Sequence, residues 1–147
     1  MTDPLRVTFE VACTPAHAFA TWTERLGWWW PPDHTVSGSP ADVVLEGRVG
    51  GRIYERTPHG AEHDWGVVTQ WRPPDLVAYR WHLGAGEQLS TDVAVRFSAL
   101  GAGTTRVEIE QDGWERLGSA AADLRDRNRA GWDSLVPLFR AAVESGG

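Results

Sequence analysis

From residue 5 onward the chain alternates strictly. Val7, Phe9 and Val11 are apolar, and Arg6, Thr8 and Glu10 between them are polar. Successive side chains on a strand point to opposite faces, so this segment predicts a strand with one buried face. Thr14-Pro15 then supplies an N-cap and a first helical residue. Phe19, Trp22 and Leu26 recur at helical spacing and predict a short helix ending near Gly27. Residues 31 to 41 hold Pro31, Pro32, Gly38 and Pro40 and read as a loop.

Period-two patterning returns after that loop. The predicted strands are Val43 to Glu46, Arg52 to Thr57, residues 64 to 71, 76 to 83 and 91 to 98, and a last one carrying Val107, Ile109 and Gln111. Strict alternation groups Trp65, Val67, Thr69 and Trp71 on one face, and Val77, Tyr79, Trp81 and Leu83 on one face of the next strand. Val93, Val95 and Phe97 share a face in the same way. Pro58-His59-Gly60, Pro73-Pro74-Asp75, Gly84 to Gly86 and Gly101-Ala102-Gly103 punctuate the run. From about Ser119 to Ser145 the period changes to that of a helix. Ala121, Leu124, Trp132, Leu135, Leu138, Phe139, Ala142 and Val143 form its apolar stripe, and Pro137 is placed to kink it. The order is strand, short helix, about six antiparallel strands, then one long amphipathic helix, with no linker or repeat. The fold class is α+β and the chain reads as one domain, 1–147. An antiparallel sheet needs one face covered, and only the last helix is long enough to do it. A bent sheet gripping one helix encloses space between them.

Composition changes this picture at one place. Nine of the 147 residues are Trp, and three are consecutive: Trp28, Trp29 and Trp30, followed by Pro31-Pro32. Adjacent residues on a helix or strand face different directions, so three neighbouring indoles cannot all enter one core. Trp29 or Trp30 is expected at a cavity mouth, and Trp28 against the sheet edge or solvent. The net charge is −6 and no basic stretch exists, which excludes nucleic acid and anionic membrane as partners. All 14 basic residues are Arg, as GC-rich coding produces. No apolar run approaches the ~18 residues of a membrane span, and no signal peptide is evident. The single cysteine, Cys13, ends an apolar stretch and reads as a small buried hydrophobe. Such cysteine use fits a cytoplasmic setting.

Candidate chemistry is sparse. His59-Gly60-Ala61-Glu62-His63 matches an inverted zinc-peptidase spacing, but that motif needs both His on one helix face, and here Pro58 and Gly60 make a turn. It reads as a polar turn, so no metal and no cofactor is expected. Glu55 shares a strand face with Ile53; if that face is inward, burial favours the neutral acid and Glu55 is a candidate acid/base or ligand-orienting group. The alternative places it in a pair with a neighbouring Arg. Asn128 lies on or beside the helix stripe, where it can offer a hydrogen bond into a cavity, and His82 and Arg80 read as outward.

Taken in order, several pieces resemble a known family: Thr14-Pro15-Ala16-His17-Ala18-Phe19 with Trp22; Trp28-Trp29-Trp30-Pro31; Gly50-Gly51-Arg52-Ile53-Tyr54-Glu55; Trp65-Gly66-Val67-Val68; Trp71-Arg72-Pro73-Pro74-Asp75-Leu76-Val77 with Trp81; Gly103-Thr104-Thr105-Arg106-Val107; and Gly131-Trp132. They are similar to the START-like (SRPBCC) superfamily, and within it to bacterial proteins like the C-terminal domain of the activator of Hsp90 ATPase. The resemblance implies the helix-grip fold with a hydrophobic cavity between sheet and long helix. Its members include ligand carriers and cyclase- or dehydratase-like enzymes, so the fold alone fixes no activity. This chain departs from the pattern after the last strand. Members there often carry a His, and here Gln111-Asp112-Gly113-Trp114 stand instead.

The expected function is binding of a small hydrophobic or aromatic molecule. Its walls would be Trp29, Trp30, Trp65, Trp81, Phe97, Trp132 and Leu135, with Glu55 and Asn128 as polar contacts. A second reading is a cyclase, dehydratase or hydrolase acting on a polyketide-like substrate, with Glu55 as acid/base. A third is an interaction module whose exposed indoles engage a partner or form a homodimer.

Overall fold

The computed structural model describes residues 3–83 and 90–146. Seven strands form one antiparallel sheet: β1 (Leu5–Val11), β2 (Asp42–Leu45), β3 (Arg52–Arg56), β4 (Glu62–Arg72), β5 (Leu76–Trp81), β6 (Thr91–Ala99) and β7 (Thr105–Asp112). Their order is β1-β7-β6-β5-β4-β3-β2. β2 to β7 are thus a continuous meander, while β1 closes against β7 at the far edge. The chain must cross from one edge of the sheet to the other between β1 and β2. It does so through helix α1 (Pro15–Thr23) and helix α2 (Leu26–Trp29). Both pack on the long helix α3 (Ala121–Gly146), which runs through Pro137 without interruption. A 3-10 segment, Trp114–Ala120, leads into α3, which begins at Ala121, the first residue of its apolar stripe. The predicted break at Gly84 to Gly86 lies outside the described residues.

Local chemistry explains the helix boundaries. Thr14 accepts a hydrogen bond from the His17 amide through Oγ1 and Pro15 follows it, a cap worth about 0.5–2 kcal/mol. α1 ends at Thr23 rather than at Gly27. Arg25 leaves helical geometry (φ −113°), and the chain re-enters a single turn at Leu26–Trp29. The tryptophan run therefore forms its own turn, and Trp30 leaves it with extended backbone ahead of Pro31.

The strand that strict alternation misreads is β4. Opposite β3, Ile53 pairs with Gly66 and Tyr54 with Asp64, so Trp65 is an extra residue. Opposite β5, Val68 pairs with Tyr79 and Gln70 with Ala78, so Thr69 is a second one. Each bulge shifts the face by one residue and bends the strand. The inward set becomes Trp65, Val68 and Trp71; Val67 and Thr69 are exposed, contrary to the alternation. β5 likewise stops at Trp81, and Leu83 takes a left-handed φ of 45°.

The core is aromatic. Trp22 lies 6.0 Å from Trp132 in a stacked pair and 5.0 Å from Phe139 edge-on, with Trp29 4.9 Å away. Trp30 continues the column to Trp65 and Trp81 at 5.4 and 5.5 Å. Such pairs contribute about 0.5–1.5 kcal/mol each beyond area burial. Leu138 faces outward, against its place in the predicted stripe, and Cys13 is half-buried rather than enclosed. The outer sheet face is charged. Arg52 pairs with Glu62 and Asp64, Arg56 with Glu62 and Asp42, and both guanidinium groups cover the ring of Tyr54.

Beside the first bulge, β4 passes close to β5 at Gly66. A Cβ there would sit 2.1 Å from the Arg80 carbonyl oxygen, a backbone atom that cannot yield cheaply. Gly66→Ala is expected to lower stability by about 2–3 kcal/mol, read as a reduced urea midpoint. An unchanged midpoint would mean that β4 and β5 can separate here without cost.

Candidate functional site

Between α3 and the inner sheet face lie two adjoining cavities, of about 220 and 280 Å³, which share Trp81, Leu83, Leu124 and Asn128. The first lobe is walled by Trp30, Trp132 and Leu135, with His34 and Arg127 at its border. The second is floored by Thr91, Gln111 and Trp114. Gly131 faces the first lobe, and a Cβ added to it would meet nothing within 4 Å. Strand β5 supplies Trp81, α3 supplies Leu124, Asn128, Trp132 and Leu135 at helical spacing, and the turn after α2 supplies Trp30.

Of the side chains expected to line a cavity, Trp30, Trp81, Asn128, Trp132 and Leu135 meet here. Trp65 sits behind them, in ring contact with Trp30 and Trp81. Phe97 lies deeper, packed on Phe19 and Trp22. Trp29 is buried between Trp22, Trp30 and Phe139, and its indole donates to the Thr21 carbonyl at 3.0 Å. Trp28 is 66 % exposed beneath the Arg25 guanidinium. It opens onto a separate groove between the 38–43 segment and the end of α3. His82 borders the second lobe, where alternation had turned it outward.

Glu55 is inward and fully buried, but not as a neutral acid. Oε1 accepts from the Trp65 indole at 2.8 Å and from the Val36 amide, and Oε2 accepts from the amide and hydroxyl of Ser37. Burial pushes the carboxyl upward, yet the hydrogen bonds from Ser37, Trp65 and Val36 together outweigh it and hold its pKa below the ordinary glutamate range. This corrects the expectation that burial keeps Glu55 protonated. A carboxylate has about four acceptor sites, and here four donors fill them. Glu55 is a latch between β3, Trp65 and the loop at residues 31–41. That same loop holds Trp30 in place, through the Trp30 indole donating to the His34 carbonyl at 2.9 Å.

Gln111 is the polar residue that sequence reading undervalues. It is only 1 % exposed, and the indole of Trp132 donates to its Oε1 at 2.8 Å. Its Nε2 donates to Thr91 Oγ1 at 2.9 Å and to Asn128 Oδ1 at 3.2 Å. The Trp114 indole donates to its backbone carbonyl. The available signal was a long amide at an inward position of an otherwise apolar strand face. Other candidates lose their chemistry. Glu62 of the zinc-like spacing is engaged by Arg52 and Arg56, and among the described residues no cluster of three or more His, Cys, Asp or Glu is placed to hold a metal. Burial raises the pKa of the Cys13 thiol, the opposite of what a thiolate nucleophile needs. No helix among the described residues is long and apolar enough to cross a membrane.

Comparison with known proteins agrees with this architecture. A family model described as activator of Hsp90 ATPase homolog 1-like protein matches residues 12–144. No curated protein sequence matches the chain. Among solved structures, the anthrahydroquino-γ-pyrone synthase Txn09 is 31 % identical, with a TM-score of 0.61 over 83 % of this chain and 84 % of that one. The self-sacrificing resistance protein CalC from Micromonospora echinospora is 29 % identical, with a TM-score of 0.76 over 98 % and 96 %. Protein MLL2253 from Mesorhizobium loti, at 15 % identity and a TM-score of 0.74 over 99 % of both chains, shares the fold.

The latch gives a pH-dependent expectation. Because the folded pKa of Glu55 is depressed, its stabilisation is present above the ordinary glutamate pKa of about 4.3 and is lost as pH falls through the folded value. Glu55→Gln turns one acceptor into a donor facing donors. It should cost about 1–3 kcal/mol at pH 7, and the two proteins should converge in stability on acidification. Equal urea midpoints at pH 7 would remove the latch.

Proposed function

The chain belongs to the activator of Hsp90 ATPase homolog 1-like family, and within that family we propose that it binds a flat, fused-ring aromatic molecule of the polyketide kind in the two-lobed cavity under α3. The observation that carries this reading is the placement of Trp30, Trp81 and Trp132 around one space with a polar floor at its inner end. Aromatic walls with a few placed polar groups are the usual build of a small-molecule site, and indole faces favour offset stacking on planar rings. The likeness to a synthase of a fused-ring pyrone supports a ligand of that class. Nothing in the reading requires a chaperone as partner.

Turnover is the second reading, favoured by the likeness to Txn09. Glu55 does not fit the role of its acid/base, since its acceptor sites are filled and its pKa is lowered. In an enzyme of this design the proton-transfer candidates bordering the cavity are His34 and His82, and Glu55 acts only by holding the loop. Chromatography of the ligand after incubation separates the readings: unchanged ligand supports carriage, a converted product supports turnover.

The binding claim is tested with anthracene-2-sulfonate by calorimetry. The protein is expected to bind it, and Gly131→Leu, which fills the first lobe, to abolish binding while keeping stability within about 1 kcal/mol of the parent, since Gly is a poor helix residue. Binding that survives the filled lobe, or no binding by the parent, would overturn the reading.

A further inference from the structure

The polar end of the cavity has a direction. An indole N–H only donates, so the 2.8 Å contact from Trp132 Nε1 identifies the atom it meets as the oxygen of the Gln111 amide and leaves the nitrogen to face Thr91 and Asn128. Both hydrogens of that nitrogen are then spent, on Thr91 Oγ1 at 2.9 Å and on Asn128 Oδ1 at 3.2 Å. Thr91 is therefore an acceptor in this contact, and its own hydroxyl hydrogen remains to be given. Among the described residues it donates to no group. The Asn128 amide is oriented by the same logic. Its oxygen receives from Gln111, one hydrogen of Nδ2 goes to the Leu124 carbonyl at 2.8 Å, and the second is unspent. Both Thr91 and Asn128 border the second lobe.

We infer that Thr91 and Asn128 form a donor wall that selects ring ligands bearing carbonyl oxygens, quinones above all, over the corresponding hydrocarbons. This inference rests on the proposed binding function and names the ligand chemistry of the same site. A carbonyl oxygen has two lone pairs and meets two converging donors, one from β6 and one from α3. A hydrocarbon leaves both donors unpaired on burial. Because Trp132 lines the first lobe while its N–H orients Gln111 beneath the second, ring stacking and carbonyl recognition are built from one side chain.

The test compares anthraquinone-2-sulfonate with anthracene-2-sulfonate, a pair that differs in two carbonyl oxygens, by calorimetry on the full chain. Two net hydrogen bonds predict a preference for the quinone of about ten-fold or more. Thr91→Val removes one of the two bonds and should bring the ratio down to about three-fold while leaving anthracene-2-sulfonate binding in place, and Thr91→Ser should return it to the parent value. If Thr91→Val no longer binds the hydrocarbon, Asn128→Leu takes its place with the same expected ratio. Equal affinity of the parent for both probes, or a preference undiminished by these substitutions, overturns the donor wall and leaves the binding function standing. Failure of the parent to bind either probe overturns both.

Discussion

Each buried indole brings one N–H that must find an acceptor inside a largely apolar core. Leaving such a group unpaired costs about 1–3 kcal/mol, and this chain carries nine tryptophans. Backbone carbonyls meet part of the demand: Thr21 for Trp29, His34 for Trp30 and Gln111 for Trp114. Two buried side chains meet the rest that the structure pairs, Glu55 for Trp65 and Gln111 for Trp132. Trp22 is the exception, its Nε1 being the one buried side-chain nitrogen or oxygen among the described residues without a partner. Glu55 and Gln111, the two largest buried polar side chains, each accept from a tryptophan.

Once those acceptors are in position they organise what surrounds them. Glu55 has acceptor capacity left after Trp65, and it spends it on Val36 and Ser37, which fixes the loop that carries Trp30 to the cavity. Gln111 has two amide hydrogens left after its oxygen receives Trp132, and it spends them on Thr91 and Asn128. The first chain of bonds shapes the mouth of the cavity and the second polarises its floor. Behind the cavity walls, the two bulges in β4 let Trp65, Val68 and Trp71 face inward along a bent strand.

Much of the fold was legible from periodicity. The edge strand, the capped first helix, the strand meander and the long amphipathic helix all emerge from it, because each buries one face only. β4 was not, since bulges are set by pairing with β3 and β5 and leave no local mark except Gly66. The split of the first helix was hidden because Leu26 continues the apolar stripe across the break at Arg25. For the site, residue type pointed to Trp30, Trp81 and Trp132, but not to which tryptophans line space and which fill it. Trp29 and Phe97 are packed within the core, a difference decided by tertiary packing. The protonation of Glu55 was misjudged for a related reason: burial is visible as a strand pattern, whereas the donors of Val36 and Ser37 come from a loop 18 or 19 residues away.

The central claim is that an aromatic ligand enters the space among Trp30, Trp81 and Trp132 and not the open groove beside Trp28. Indole N–H resonances of the nitrogen-15-labelled chain, followed during titration with anthraquinone-2-sulfonate, read this directly. Trp30 borders both spaces, so the expected result is shifts at Trp81 and Trp132 with Trp28 unmoved. Shifts at Trp28, with Trp81 and Trp132 unchanged, would contradict it.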